Sequence, residues 1–321
     1  MLQGFLRNHK KKLIIIFIMS TILIVGVSIG NQYRNKKLYN KQTVMAKEYL
    51  ESGDYNQAIE SYEIALTMKN GDKESLSVGL AEAYIGNNEY DKALEILRGN
   101  YEIGSGNVIK EKIEEVTLKK SDYEYERAIS SGDVYFSNEE YDKAILEYEN
   151  AKKIKSKEVI SYKRISQSYV NMKSYDLAQE ELLEGLTITN NEELIDALEM
   201  VESYIMKQQY ESIIIKAKEF FYQENYEDAT SQFNVAISLF PKDPQGYIGL
   251  AEIYITQKKY DEAINLLEGA KNLIYNEEIR RMFDKAIELK EEEKKMKETL
   301  EKIYDTLEVE RSRQFLLPEI G

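Results

Sequence analysis

The chain has 321 residues, with 43 Lys and Arg against 57 Asp and Glu, one His, and neither Cys nor Trp. Without cysteine there is no disulfide, zinc-thiolate site or cysteine nucleophile. The one histidine, His9, leaves histidine metal sites and Ser-His-Asp catalysis without parts. Only 3 Pro and 16 Gly against 43% hydrophobic residues fit a nearly all-helical chain with enough apolar surface to fold.

Charge is uneven along the chain. Residues 1–41 hold Arg7, Lys10, Lys11, Lys12, Arg34, Lys36, Lys37 and Lys41 and no acid. Taking these eight from the 43 leaves 35 basic against 57 acidic groups over 42–321, a net of −22. Such a body repels nucleic-acid phosphates and anionic headgroups, so no nucleic-acid partner is expected.

The first element is a basic tail at 1–12, read as cytoplasmic. Residues 13–30, Leu13 to Gly30, follow without a charge. As a helix they span about 27 Å at ~1.5 Å per residue, close to a bilayer's hydrocarbon thickness. They read as a single-pass transmembrane helix contacting the lipid bilayer. The alternative is a cleaved signal peptide cut after Gly30, against which stand the length of the run and the lack of a polar segment before the cut. A basic juxtamembrane linker at 31–38 comes next. Lys and Arg counts are nearly equal on both flanks. The cost of moving the charged tail across places it inside, and a long folded segment crosses largely regardless of charge. The expected location is therefore the cell membrane, with the repeats extracytoplasmic.

From 39 to 272 one phrase recurs six times: Gly53-Asp54-Tyr55-Asn56-Gln57-Ala58, then Tyr90/Ala93, Tyr141/Ala144, Tyr175/Ala178, Tyr226/Ala229 and Tyr260/Ala263 in the same setting. Each is a polar turn, a tyrosine and, three residues on, an alanine. A second signature precedes each, a small residue followed three positions later by an aromatic: Ala46/Tyr49, Ala81/Tyr84, Gly132/Tyr135, Ser166/Tyr169, Ala217/Phe220 and Ala251/Tyr254. The helix after the phrase continues with Tyr62/Ala65, Leu97/Asn100, Tyr148/Ala151, Leu182/Gly185, Phe233/Ala236 and Leu267/Ala270. Large and small residues at this spacing let paired helices approach closely.

The pattern resembles the tetratricopeptide repeat, a unit of about 34 residues made of two antiparallel helices and often ended by proline. Pro241 stands where that proline falls in the fifth unit, and Pro244 suits the first turn of the next helix. The aromatic expected early in the first helix survives only as Tyr162 and Tyr247, and Asn100 replaces a small apolar residue. The resemblance implies an all-α, tetratricopeptide-like helical-hairpin solenoid of six repeats after one transmembrane helix.

A longer period lies above the short one. The alanines of corresponding hairpins are 86, 85, 85 and 85 residues apart, so the array is three modules of about 85 residues. Each module adds a segment apolar at helical spacing: an extra helix near 108–120, another near 192–208, and a third at 277–293. Such helices would break the array into three short arcs. Beyond lies a long charged capping helix at 277–310, whose narrow stripe of Met296, Leu300, Ile303 and Leu307 also permits a short coiled-coil contact. An apolar tail at 311–321 ends the chain.

In this family ligands lie on the concave face formed by the first helices. Helical position maps that face to Thr43, Lys47 and Leu50, then Val78, Glu82 and Ile85, then Ile129, Asp133 and Phe136. It continues with Lys163, Gln167 and Val170, then Ile214, Lys218 and Phe221, then Ile248, Glu252 and Ile255. An apolar row beside a mixed-charge row suits a protein or peptide held by apolar contacts and a few charge pairs. No acid pair is set apart in an apolar pocket, and Gly104-Ser105-Gly106 follows no strand, so neither catalytic nor phosphate-loop chemistry is read. No enzyme activity, cofactor or metal is expected. The leading expectation is a bacterial membrane-anchored scaffold, or adaptor, for protein or peptide partners. Its alternatives are a self-assembling element of the cell envelope and an accessory factor of envelope enzymes; oligomeric state is left open.

Overall fold

The computed structural model describes residues 2–68, 72–101 and 107–315, with side chains described within 17–311. Among the described residues the chain forms α-helices and no strand. These are α1 (Leu2–Ser52), α2 (Tyr55–Leu66), α3 (Lys73–Gly86), α4 (Tyr90–Gly99), α5 (Asn107–Ser137) and α6 (Tyr141–Ile154). They continue as α7 (Val159–Asn171), α8 (Tyr175–Thr189), α9 (Glu192–Tyr222), α10 (Tyr226–Leu239), α11 (Pro244–Thr256), α12 (Tyr260–Leu273) and α13 (Glu277–Phe315). The Gly104-Ser105-Gly106 segment lies outside the described residues, as do residues 316–321 of the expected tail.

The six recurring phrases are six copies of one turn. In each, the residue two before the tyrosine has a positive φ: Gly53 at 78°, Asn88 at 59°, Glu139 at 62°, Lys173 at 59°, Glu224 at 59° and Lys258 at 58°. Its amide donates to the carbonyl three residues back, at 2.9–3.2 Å, and the next amide donates five back, to the signature aromatic, at 2.8–3.0 Å. This double bond satisfies carbonyls that the end of the first helix would leave orphaned. The second helix then starts at the tyrosine itself. At other helix starts Asp72, Asn191, Asp243 and Asn276 accept backbone amides as caps. Pro244 opens α11 in its first turn, as its position in the sequence predicts.

The structure divides into two compact units, Met1–Ser161 and Tyr162–Gly321. In the first, Ala46, Ala58, Tyr62, Leu80, Ala93 and Leu97 are buried together, and Ile109 and Val116 of α5 complete the cluster. In the second, Phe233 centres a cluster with Tyr210, Ile214, Ala217 and Leu250, while Leu267, Ala270 and Ile279 form another. Glycine is required where a ring meets backbone: a Cβ on Gly132 would overlap the Tyr148 ring, and one on Gly249 the Phe233 ring. The signature alanines 58, 93, 144, 178, 229 and 263 are all fully buried.

The added segments are the first halves of unusually long helices. α5 and α9 each run 31 residues. Ile109 and Val116 in the first half of α5 pack with α3 and α4, and Gly132 in its second half meets Tyr148 of α6; Leu194 in the first half of α9 meets α8 at Gly185, and Ile214 and Ala217 in its second half pack with Phe233 of α10. Nothing in α9 interrupts the helix, since residues 192–222 contain neither Gly nor Pro. Asn100, which replaces a small apolar residue, follows the end of α4 after only 10 residues and bonds its side-chain amide back to the Ile96 carbonyl at 2.9 Å.

α1 continues through the expected linker at 31–38 into the first helix of the first repeat. Among the described residues no helix is long and apolar enough to cross a membrane. The side chains of residues 13–16, which open the apolar run, lie outside those described, and every residue from Phe17 to Gly30 is exposed.

Candidate functional site

The residues mapped to the first-helix face fall into three groups. Ile129 and Ile214 are buried and belong to the packing of α5 and α9. Thr43, Leu50, Val78, Glu82, Ile85, Asp133, Phe136, Lys163, Val170, Phe221, Ile248 and Ile255 are half-buried, while Lys47, Gln167, Lys218 and Glu252 are exposed. Several of the half-buried ones have intramolecular partners. Asp133 accepts the Tyr148 hydroxyl at 2.7 Å, which ties it to the hairpin interior. Phe136 meets Tyr141 edge-on with centroids 5.4 Å apart, and Phe221 meets Tyr226 at 5.9 Å. These aromatics brace the turn between the two helices of a hairpin, in offset or edge geometry that aromatic pairs favour.

In the first unit, Glu82 of α3 accepts from Lys112 of α5 at 3.0 Å, and Lys112 also meets Glu115 at 3.1 Å. Burial opposes the charge on Lys112, but its bonds to Glu82 and Glu115 outweigh that and hold its pKa above the ordinary lysine value. The charge row on this face is thus partly neutralised by the added segment.

In the second unit, Lys163 of α7 pairs with Glu193 of α9 at 2.9 Å. Farther along, Lys218 of α9 and Glu278 and Lys285 of α13 lie close enough to act electrostatically on Glu252 of α11. Partial loss of hydration, with the nearby Glu278 charge, raises the Glu252 pKa. Lys218 and Lys285 oppose the shift. Glu278 and Lys285 also line an open cleft of ≈ 560 Å³ with Asn276, Glu277, Arg281 and Met282. Chemically this is a mixed-charge rim beside the apolar Ile248 and Ile255, a surface that offers both signs of charge to a peptide.

Lys112, Glu193, Glu278 and Lys285 are contributed by the added segments and were missing from the mapped face. Their signal was present: α5, α9 and α13 begin 34, 33 and 33 residues after α3, α7 and α11, which start at 73, 159 and 244. The short repeat period therefore runs on into the added segments, each of which takes the station of another first helix. Among the described residues no cluster of His, Cys, Asp and Glu is arranged to hold a metal ion.

The tetratricopeptide repeat family matches residues 49–99 and 220–282. No curated protein matches the chain. Among solved structures, the P58(IPK) TPR domain is 15% identical, covering 79% of this chain and 99% of its own, with a TM-score of 0.26. TTC0263, a TPR protein of Thermus thermophilus, is 15% identical over 68% of this chain and 99% of its own, with a TM-score of 0.24. The TPR2AB domain of yeast Sti1, in complex with pHSP90, is 16% identical over 78% and 99%, with a TM-score of 0.23. The chain carries tetratricopeptide repeats at residues 49–99 and 220–282.

Proposed function

We propose that this chain is a membrane-anchored scaffold that binds protein or peptide partners on the first-helix faces of its repeats. The observation that carries the reading is the face of the second unit. There Glu252 lies on α11 at helical spacing from half-buried Ile248 and Ile255, within electrostatic reach of Lys218, Glu278 and Lys285, the last two of which line one open cleft. Tetratricopeptide repeat proteins commonly act as protein-interaction scaffolds. The binding role is non-catalytic, in keeping with a sequence that has no Cys and a lone His in its N-terminal tail. Support for the anchor is the uncharged run at 13–30 within α1, and support for repeats outside the cytoplasm is the basic tail before it.

The binding test compares proximity labelling in cells by the intact chain and by a Lys218→Glu, Ile255→Ser variant, with Glu268→Lys, on the exposed side of α12, as the control. Loss of the labelled set in the first variant alone supports the reading. Identical sets in all three would sink it. For topology, protease is added to intact and to detergent-opened cells while a C-terminal tag is followed. Protection in intact cells would put the repeats in the cytoplasm.

A further inference from the structure

Tyr125 of α5 and Tyr210 of α9 stand one module apart and are equally buried, 3% and 4% exposed. Each meets the connection that follows its hairpin, α6 to α7 in the first unit and α10 to α11 in the second. The backbone of the two connections is the same. The amides of Lys155 and Phe240 donate to the carbonyls of Ala151 and Ala236, both at 3.0 Å. Those of Glu158 and Asp243 then donate to the carbonyls of Lys155 and Phe240, at 3.1 and 2.9 Å.

The side chains differ. In the second unit the Tyr210 hydroxyl donates to the Asp243 carboxylate, which also caps α11 by accepting the Gln245 amide at 2.9 Å. Phe240 packs on the Tyr210 ring with centroids 4.9 Å apart. In the first unit Lys155 takes the place of Phe240, and Glu158 that of Asp243. The Lys155 ammonium lies 4.9 Å from the Tyr125 ring centre and pairs with Asp122 of α5 at 2.8 Å, with the Glu158 charge also near it. The buried hydroxyls of Tyr125 and Ser161 are within reach of each other but lack the distance and angle a hydrogen bond needs. Neither finds a partner among the described residues.

We propose that the α6–α7 connection, residues 155–161, is a salt-sensitive latch. Charge holds it on α5, where its counterpart is held on α9 by a part-buried hydrogen bond and ring packing. It opens locally while the hairpins stay folded. Two physical arguments carry this. Lys155 and Asp122 are 26% and 51% exposed, so salt weakens their attraction, the screening length falling from ~10 Å at 0.1 M to ~3 Å at 1 M. A buried hydroxyl without a partner keeps its desolvation cost, and opening to water relieves it for both Tyr125 and Ser161. Opening bares the Tyr125 ring. The latch needs neither the anchor nor a bound partner, and so stands apart from the binding role.

Hydrogen exchange of the full chain in detergent, read by mass spectrometry, compares residues 155–161 with 240–246 in the same molecule. Protection of 155–161 should be the lower of the two. It should fall up to ~5-fold further between ~0.05 M and ~1 M salt, the range for an exposed ion pair, while 240–246 holds. Equal protection, or the same salt response in both stretches, overturns the inference. Lys155→Met keeps the apolar stem, so it should lower protection of 155–161 at low salt and remove the salt response. A salt response that persists in that variant would place the charge elsewhere and equally overturn it. Tyr125→Phe removes a hydroxyl bonded to nothing and should leave protection of 155–161 unchanged or higher. Tyr210→Phe should lower that of 240–246 about 10-fold. A matching loss in both would show the Tyr125 hydroxyl to be bonded and the latch to be absent.

Discussion

Replacing Glu139 with glycine should stabilise the protein. Glu139 sits at φ 62° in the turn between α5 and α6, a conformation its side chain disfavours. The left-handed region costs a residue with a Cβ about 1–2 kcal/mol. Glycine loses more freedom on folding, a counter-cost of about 0.5–1 kcal/mol. The difference is a net gain of ~0.5–1 kcal/mol, and both backbone bonds of the turn survive because glycine keeps its amide. Lys173, Glu224 and Lys258 hold the same place at 59°, 59° and 58°. They lie in separate hairpins, so all four substitutions together should add to about 2–4 kcal/mol. Asn88, at 59°, should gain less, since asparagine tolerates this region better. The reverse change is the internal control. A Cβ on Gly53 meets nothing within 4 Å, so Gly53→Ala isolates the dihedral and should cost ~0.5–1 kcal/mol. Urea unfolding followed by far-ultraviolet circular dichroism reads each change as a shift in midpoint. If E139G were destabilising while G53A were neutral, the turn would not be the strained element described above.

Ala144→Leu should overpack a fully buried site and cost about 1–3 kcal/mol in the same assay. Gly249→Ala should also destabilise, because its Cβ would overlap the Phe233 ring; an unshifted midpoint in either variant would contradict the packing described. Glu252 has a raised pKa, so the folded state binds its proton more tightly than the unfolded chain does. Stability is then lost as pH climbs from the ordinary glutamate value towards the raised one. Glu252→Gln should therefore match the parent in acid and exceed it at neutral pH, as judged by melting curves across the range. A double-mutant cycle on Glu82→Gln and Lys112→Met should give a coupling of ~0.2–1 kcal/mol, the range for partly exposed ion pairs, and a coupling of zero would remove that pair from the account.

The repeat period, the buried alanines and the helix pairs were legible because packing in such an array is local. A large residue and a small one at helical spacing dictate which helices can meet, and this happens within one hairpin. Glu82, Lys163, Lys218 and Glu252 could each be assigned to the first helix of its own hairpin for the same reason. Three things depended on tertiary structure. The left-handed turn at Glu139, Lys173, Glu224 and Lys258 has no glycine to announce it; the bonds that close the first helix impose it. The partners of Glu82 and Lys163 come from segments outside the repeat signature, and their distance across helices depends on how α5 and α9 stack. The stripe of α13 has the same apolar spacing as a buried one. Whether it is covered depends on what lies opposite, and helical periodicity within one element carries no record of its neighbour.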